Sequence, residues 1–318
     1  MGLLAELLAG DGAVLPAQLP CGARVQALAP AVWVIEPTAP GGRPLILSAG
    51  IHGDETAPIE LLCAIVDALV GGDLVPVVPL LIAFGNLPAV RAARRYLDED
   101  LNRLFGHDAP VQSREALRAQ QLKSAVERFC ASYGKALHFD LHSAIRASYF
   151  ARFAIAPLAE GESADSVPLD LLATCGIEAV LTTRATAPTL SAFTTREHAC
   201  EAYTFELGRV RLLGEGASDE FAAAGACLRA LIAGLPLEPT AVRPTVFRVS
   251  REIIKCSEAF ELHLEPAAAN FTVFETGALI ASDGDIQWLA QPGERIVFPN
   301  PAVKPGLRAG LLVVAVPH

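Results

Sequence analysis

Between about Arg43 and Leu235, sequences typical of buried strands alternate with sequences typical of helices. The strand candidate Arg43–Gly50 (RPLILSAG) is followed by apolar residues at helical spacing, and a second strand candidate, Ala136–Leu141, follows the helical stretch Ser113–Tyr133. Adjacent parallel strands need a long crossover between them, which is usually a helix. The alternation therefore predicts an α/β fold, with a mostly parallel sheet flanked by helices.

The pattern changes at Leu235–Pro244 (LPLEPTAVRP), where three prolines interrupt the chain. Short strand-like runs follow, such as TVFRVS, FTVFE and RIVFP, and they are separated by turn sequences such as SDGD and QPGE. No long helical pattern occurs after the prolines. The sequence thus predicts a smaller β-rich C-terminal domain, with the domains at residues 1–238 and 239–318.

Composition and charge restrict the classes of partner. The chain is 52% hydrophobic and 19% charged, which favours a large core, and no apolar run reaches the length of a membrane span. A net charge of −10 without any basic run argues against nucleic acid. We expect no nucleic acid and no membrane as partner. The sequence leaves homo-oligomers open, and a local group of arginines would still suit a small anionic substrate.

The N-terminus and the cysteines predict a cytoplasmic protein. The first ten residues carry no Lys or Arg and include Glu6, which does not fit a secretory signal. The seven cysteines are scattered, odd in number and never spaced as CxxC. This is typical of reduced thiols rather than of disulfides or of zinc held by thiolates.

His52 and Glu55 form an H-x-x-E pair directly after the first strand candidate, and His142 follows another apolar strand in ALHFDLHSA. Two histidines and one carboxylate are a common zinc ligand set in hydrolases, with a further position left for water. Because the carboxyl ends of parallel strands meet at one edge of a sheet, we expect the three side chains to converge there. The alternative is a surface pair near a helix start, since H-x-x-E alone is a weak motif.

Two neighbours of His142 lie on the same face of its strand, because alternate residues point the same way. Asp140 is suited to orient a ligand histidine through the second ring nitrogen. For His138 we predict a structural role as a buried, hydrogen-bonded histidine.

Two further stretches carry candidate functional residues. RRYLDEDLNRLF (residues 94–105) places Arg95, Asn102 and Arg103 in a polar loop, which is either a solvated turn or a site that recognises carboxylates. YTFELG places Glu206 inside an apolar strand, where a lone glutamate needs a reason. One reason is service as a general base acting on zinc-bound water, and the alternative is a buried structural carboxylate.

These motifs, taken together, resemble one protein family. HGDETAP, DLNR, DLHSAIR and FELG, in this order and spacing, are similar to the motifs of the succinylglutamate desuccinylase/aspartoacylase family of zinc carboxypeptidase-like hydrolases. The similarity runs from about Gly41 to the C-terminus. It implies a zinc carboxypeptidase-like α/β sheet, an appended β domain and one Zn²⁺ per chain.

The resemblance also assigns roles to the metal-site residues. His52, Glu55 and His142 fall on the zinc-binding positions, and Glu206 falls on the general base.

Four further residues fall on or near substrate-binding positions of the family. Asn102 and Arg103 match the pair that grips a substrate carboxylate, and Arg95 lies where the family has another substrate-binding arginine. Arg196, ten residues before Glu206, matches an arginine of the aspartoacylase branch. These four form the predicted substrate site.

The activity implied by the resemblance is hydrolysis of N-succinyl-L-glutamate to L-glutamate and succinate, the last step of arginine catabolism by the succinyltransferase route. More generally, the expected substrate is a small anionic N-acyl amino acid. Three alternatives stay open at this point: another N-acyl amino acid such as N-acetylaspartate, a peptide cleaved by carboxypeptidase action, and a metal-dependent binding protein without catalysis. The presence of Glu206 beside a full ligand set argues against the last of these.

Overall fold

The computed structural model of the chain describes residues 2–10, 13–106, 112–210 and 219–317. Within these ranges the α-helices are α1 Leu3–Ala9, α2 Thr56–Gly71, α3 Leu87–Arg91, α4 Arg114–Tyr133, α5 Leu169–Thr174, α6 Leu190–His198 and α7 Asp219–Ala233. Short 3₁₀ helices lie at Leu101–Arg103 and Ala164–Ser166.

The strands of the N-terminal and central part are β1 Arg24–Ala29, β2 Val32–Glu36, β3 Leu45–Ala49, β4 Leu80–Phe84, β5 Leu137–Ala144, β6 Arg152–Leu158, β7 Ala179–Arg184 and β8 Glu201–Arg209. Those of the C-terminal part are β9 Thr245–Ile254, β10 Phe260–Leu262, β11 Thr272–Val273, β12 Leu279–Asp283, β13 Ile286–Leu289, β14 Arg295–Val297 and β15 Arg308–Ala315.

Most of the described strands form one mixed sheet, in the order β1-β2-β4-β3-β5-β8-β6-β7-β9-β15-β14-β11. Strands β4, β3, β5 and β8 are parallel to one another, whereas β6 pairs antiparallel with β8. Strands β7 and β9 then continue parallel to β6. The predicted α/β fold is confirmed, with antiparallel strands added on both sides of the parallel block.

Two predicted strands differ in length from those observed. The apolar run Val75–Phe84 (VPVVPLLIAF) predicts a strand along its whole length, but β4 begins only at Leu80, because Pro76 and Pro79 cannot donate to a ladder. Strand β5 continues past Leu141 to Ala144, because it keeps pairing with β8 beyond that point. His142 therefore lies inside the strand rather than after it.

Helices cover both faces of the sheet, and local signals fix their ends. Helix α2 has Pro58 in its first turn, and Gly72 ends it in the left-handed conformation with φ 86°. The Ser113 hydroxyl caps α4 by accepting from the N–H of Ala116 at 3.0 Å. All three signals are visible in the sequence.

Alternation along β5 separates an apolar face from a polar one. Leu137, Phe139 and Leu141 pack into the core that also contains α2 and α7. The intervening His138, Asp140 and His142 point to the other face, which α4 and α6 cover, and all three are buried. These three buried polar side chains form the floor of the candidate site.

The C-terminal segment is rich in strands, as predicted, and it is joined to the main sheet. Strand β9 pairs parallel with β7, and β15 pairs with β9. Strands β10, β12 and β13 form a separate three-stranded sheet. The boundary at 238/239 stays a prediction, and the large sheet runs across it.

None of the helices in the described ranges combines the length and apolar character that crossing a bilayer requires.

The aromatic cluster at the β7–β9 junction yields a stability prediction. Phe247 of β9 is fully buried, with its ring centroid 4.9 Å from that of Phe271 and 5.5 Å from that of Phe150. Phe247→Ala should lower the free energy of unfolding by about 3–5 kcal/mol, because it leaves a cavity where two parts of the sheet meet. Denaturant titration measures this. Leu307→Ala, at a residue that is 53% exposed, is the control and should change stability little. An equal, small effect of both variants would contradict the prediction.

Candidate active site

His52 and Glu55 lie in the tight connection between β3 and α2. Glu55 is the N-cap residue of α2, and both side chains are buried. Gly53, between them, packs directly on α3: a Cβ at this position would come within 2.3 Å of the backbone of Ala89 and Val90. Only glycine fits here, so the H-G-D-E sequence holds the two side chains against α3.

His142 and Glu206 are placed by the register of two adjacent parallel strands. Their Cα atoms are partners in the β5–β8 ladder. Both side chains are buried, and they lie near the carboxyl ends of these strands. The sheet thus brings the predicted third ligand and the predicted base side by side.

The two histidines and the glutamate form a compact buried cluster. The Nδ1 atom of His52 lies 2.8 Å from Oε1 of Glu55, and Nδ1 of His142 lies 2.9 Å from Oε2 of the same carboxylate. The possible ligand atoms of all three residues lie within 4.8 Å of one another. This is a group that could hold a metal ion, and its members are the three residues predicted from the sequence.

Each histidine has an aspartate on its other ring nitrogen. Nε2 of His52 contacts Oδ1 of Asp100 at 3.0 Å, and Nε2 of His142 contacts Oδ2 of Asp140 at 3.0 Å. A carboxylate on Nε2 keeps a proton there and leaves Nδ1 as the possible ligand atom. Histidines that bind metals usually donate their other ring N–H to such a partner. The contact of Asp140 agrees with the role predicted for it.

The hydrogen bonds continue from Asp140 into the interior. The Ser48 hydroxyl donates to Oδ1 of Asp140 at 2.6 Å and contacts Nε2 of His138 at 2.9 Å, and Nδ1 of His138 contacts the Thr194 hydroxyl of α6 at 2.9 Å. Burial lowers the pKa of His138 to about 4, so the ring is neutral. His138 is a buried, hydrogen-bonded histidine, in agreement with the structural role predicted for it.

The pKa values of the cluster reflect its shared charges. Burial disfavours charge on Glu55, but the adjacent His52 and His142 outweigh burial and hold its pKa well below the ordinary value. Burial lowers the pKa of His142, but Asp140 and Glu55 outweigh it and raise that pKa well above the ordinary value. Protons on Nδ1 and a metal ion are alternative ways to neutralise the carboxylate.

Glu206 has a different environment. Burial, together with the negative charge of Glu55, raises the pKa of the Glu206 carboxyl to about 7. His142, Arg95 and His52 act in the opposite direction. A carboxyl group poised near neutrality is suited to both accept and return a proton.

The polar loop from residue 94 to 105 lies beside the cluster. The Nη1 atom of Arg95 donates to Oε1 of Glu55 at 2.9 Å. Burial lowers the pKa of Arg103, Asp100 opposes this shift, and the charges of Arg308 and Arg95 add to it. Three guanidinium groups therefore act on one region: those of Arg95 and Arg103 come from this loop, and that of Arg308 comes from the C-terminal strand β15.

The two other predicted substrate residues are both held by nearby backbone. Oδ1 of Asn102 accepts from the N–H of Leu190, the first residue of α6, at 3.1 Å. Arg196 lies in the last turn of α6, and its guanidinium donates to backbone carbonyls rather than to the cluster. The roles assigned to both residues stay predictions.

Asp100 is a site residue that the sequence analysis missed. It lies in the quoted loop two residues before Asn102, whose N–H it also accepts at 3.0 Å. Its role depends on the distance between two loops that are remote in sequence, and no local pattern encodes that distance.

A buried His–Glu–His cluster beside a glutamate, at the carboxyl edge of parallel strands, is the arrangement of a metal-dependent α/β hydrolase. Residues 41–232 match the family model described as the succinylglutamate desuccinylase/aspartoacylase catalytic domain. Residues 242–316 match the AstE/AspA barrel-sandwich hybrid domain. The chain belongs to the succinylglutamate desuccinylase/aspartoacylase family, as the sequence motifs predicted.

Individual relatives agree with this assignment. A protein of Burkholderia thailandensis named succinylglutamate desuccinylase is 47% identical over 277 residues, which are 85% of this chain and 79% of that protein. The crystal structure of succinylglutamate desuccinylase from Vibrio cholerae has a TM-score of 0.91 at 31% identity, covering 99% of this chain and 95% of the other. The corresponding structure from Chromobacterium violaceum has a TM-score of 0.86 at 34% identity, covering 100% and 98%. The similarity thus spans both parts of the chain.

The aspartate behind His142 yields a prediction on metal affinity. Asp140→Asn keeps the shape of the side chain but removes the charge that orients the imidazole, so Zn²⁺ affinity should fall about 10–100-fold. Competition with a chromophoric chelator measures this. Asp170→Asn, at a side chain that is 88% exposed, is the matched control and should leave affinity unchanged. If both variants bind Zn²⁺ as tightly as the wild type, Asp140 has no such role.

Proposed function

We propose that this chain hydrolyses the amide bond of N-succinyl-L-glutamate to give L-glutamate and succinate, as the last step of arginine catabolism by succinyl transfer in the cytoplasm. The names of relatives that match most of the chain support this substrate. The observation that carries the proposed chemistry is the placement of the buried Glu206 directly opposite His142 of the His–Glu–His cluster.

The proposed cofactor is one Zn²⁺ per chain, held by His52, Glu55 and His142. The donor set fits this ion: two imidazole nitrogens and one carboxylate, each buried, with both imidazoles oriented by an aspartate. When bound, zinc supplies Lewis-acid chemistry, which polarises the amide carbonyl and makes water a better nucleophile near neutral pH.

Glu206 is the proposed general base. Its carboxylate takes a proton from the attacking water and then returns that proton to the leaving amide nitrogen of glutamate. A pKa of about 7 suits both transfers, because neither protonation state is strongly favoured near neutral pH. The buried position beside the cluster also keeps bulk water from competing for the proton.

The three carboxylates of the proposed substrate need positive partners, although the chain as a whole has a net charge of −10. Arg103 and Asn102 are the proposed partners of one substrate carboxylate, and Arg95 is the proposed partner of another. The effect of Arg95 and Arg308 on the pKa of Arg103 supports a local positive field. Such a field, and the planar donor fork of arginine, suit carboxylate recognition.

The substrate assignment is tested by a panel of N-acyl amino acids. Zinc-loaded protein is assayed for released amine with N-succinyl-L-glutamate, N-acetyl-L-aspartate, N-acetyl-L-glutamate and a short peptide with a C-terminal glutamate. We expect kcat/KM to be highest, by at least about tenfold, for the succinyl compound. Preference for the acetyl compounds or for the peptide would replace this function with one of the alternatives, and no turnover of any compound would refute hydrolase activity.

The role of Glu206 is tested by Glu206→Gln, which keeps the size of the side chain but cannot accept the proton. We expect kcat to fall about 10²–10⁴-fold, the usual effect of losing a positioned acid–base group. Zinc content and melting temperature should change little, since the three ligands are untouched. Glu201→Gln, at the opposite end of β8, is the matched control and should retain activity. A zinc-replete Glu206→Gln protein with near-wild-type kcat would falsify the base assignment.

A further inference from the structure

Arg196 lies where two loops meet, and its guanidinium binds both. Nη1 donates to the carbonyl of Ala185 at 2.8 Å and to that of Ala187 at 3.4 Å. Nη2 donates to the carbonyl of Phe105 at 3.0 Å, and Nε donates to Glu197 at 2.7 Å. All three nitrogens of the guanidinium are thus engaged by protein atoms.

The two loops held by Arg196 also bind each other. The N–H of Phe105 donates to the carbonyl of Pro188 at 3.2 Å, and the N–H of Leu190 donates to Oδ1 of Asn102 at 3.1 Å. One loop is the segment Leu101–Phe105, which carries Asn102 and Arg103, the proposed partners of one substrate carboxylate. The other, residues 185–189, leads into α6, whose first residue contacts Asn102.

Helix α6 is itself fixed to the strands of the active site. Thr194 contacts His138 of β5 at 2.9 Å, and Ser191 contacts Thr204 of β8 at 2.7 Å, two residues before Glu206. Arg196 extends this rigid helix towards the Leu101–Phe105 segment. Through these contacts, Asn102 and Arg103 are held in place relative to the strands that carry His142 and Glu206.

We propose that Arg196 is a positioning residue that holds the Leu101–Phe105 segment against α6, rather than a residue that binds a substrate carboxylate. This inference rests on the proposed function for its kinetic part. To bind a substrate, the Arg196 guanidinium would have to break its hydrogen bonds to the backbone carbonyls of both loops. Its fork matches three carbonyl oxygens, which a lysine cannot satisfy together.

The first test measures the backbone directly, by hydrogen exchange with mass spectrometry on zinc-loaded protein. In Arg196→Met, peptides that cover residues 101–106 and 185–190 should exchange at least about tenfold faster than in the wild type, because their shared hydrogen bonds open more often. A peptide that covers β5 should be unchanged. Unchanged exchange at 101–106 and 185–190 would overturn the proposal.

The second test is a double-mutant cycle with Arg103. Alone, Arg196→Met should lower kcat/KM about 10–100-fold, because a small displacement of binding groups has a large effect on rate. In an Arg103→Met background it should lower kcat/KM less than about threefold further, since the charged group that it positions is already gone and only the neutral Asn102 still depends on it. Two fully multiplicative losses would show that Arg196 makes an independent contact with the substrate, which would contradict the proposal.

Two further variants keep both tests interpretable. Arg196→Lys should show intermediate exchange and intermediate kcat/KM, because an ammonium can reach only part of the carbonyl set, and it serves if Arg196→Met does not fold. Arg184→Met, at an exposed arginine directly before the loop, should behave as the wild type. If the wild type does not hydrolyse N-succinyl-L-glutamate, the proposed function fails, but the exchange comparison still decides the role of Arg196.

Discussion

The structure of the site depends on one constraint: buried charges must be paired. Glu55 lies between His52 and His142. The other ring nitrogen of each histidine contacts an aspartate, Asp100 for His52 and Asp140 for His142. Removing one partner from this series of charged contacts leaves an uncompensated buried charge, which lowers the stability of the folded state. The loop after β3, the strand β5 and the loop at Asp100 are therefore not free to move independently, and a metal ion at their meeting point would join segments that are already mutually dependent.

Strand register fixes the relative position of the site residues on β5 and β8. Because His142 and Glu206 are ladder partners, their relative position is set by backbone hydrogen bonds and not by loop conformation. The same buried face carries His138 and Asp140, which are tied to α6 through Ser48 and Thr194. Sites built on strands in this way hold their groups more precisely than sites on loops. Asn102 and Arg103, which are proposed to bind substrate, lie instead on a loop segment, and that segment is bound to α6.

The sequence predicted the parts of the site that local patterns encode. His52, Glu55, His142 and Glu206 could be named because each is an ionisable residue in or directly after an apolar strand, and ordered motifs then identified the family. Asp100 could not be named, since it acts across two loops that only the fold brings together.

For the fold too, local patterns predicted some features and left out others. The alternation of strands and helices sufficed for the α/β class, whereas the attachment of β9 to β7 was not predicted. That pairing is a long-range contact between segments that look like separate domains in the sequence. Strands β1 and β2 also precede the region where the alternation is regular, and no local pattern predicted them. In each case the information lies in tertiary pairing rather than in local periodicity.

The C-terminal part bears on the site through the loop that follows β5. Asn270 donates its N–H to the carbonyl of Ala147 at 2.8 Å and accepts from the N–H of Tyr149 at 3.1 Å. Its Oδ1 atom accepts from the N–H of Phe298 at 2.8 Å, and Arg146 donates to the carbonyl of Pro266 at 2.8 Å. This loop joins the strand of His142 to β6, which pairs with the strand of Glu206. The C-terminal strands thus restrain the connection between the two strands on which the ligand and the base lie.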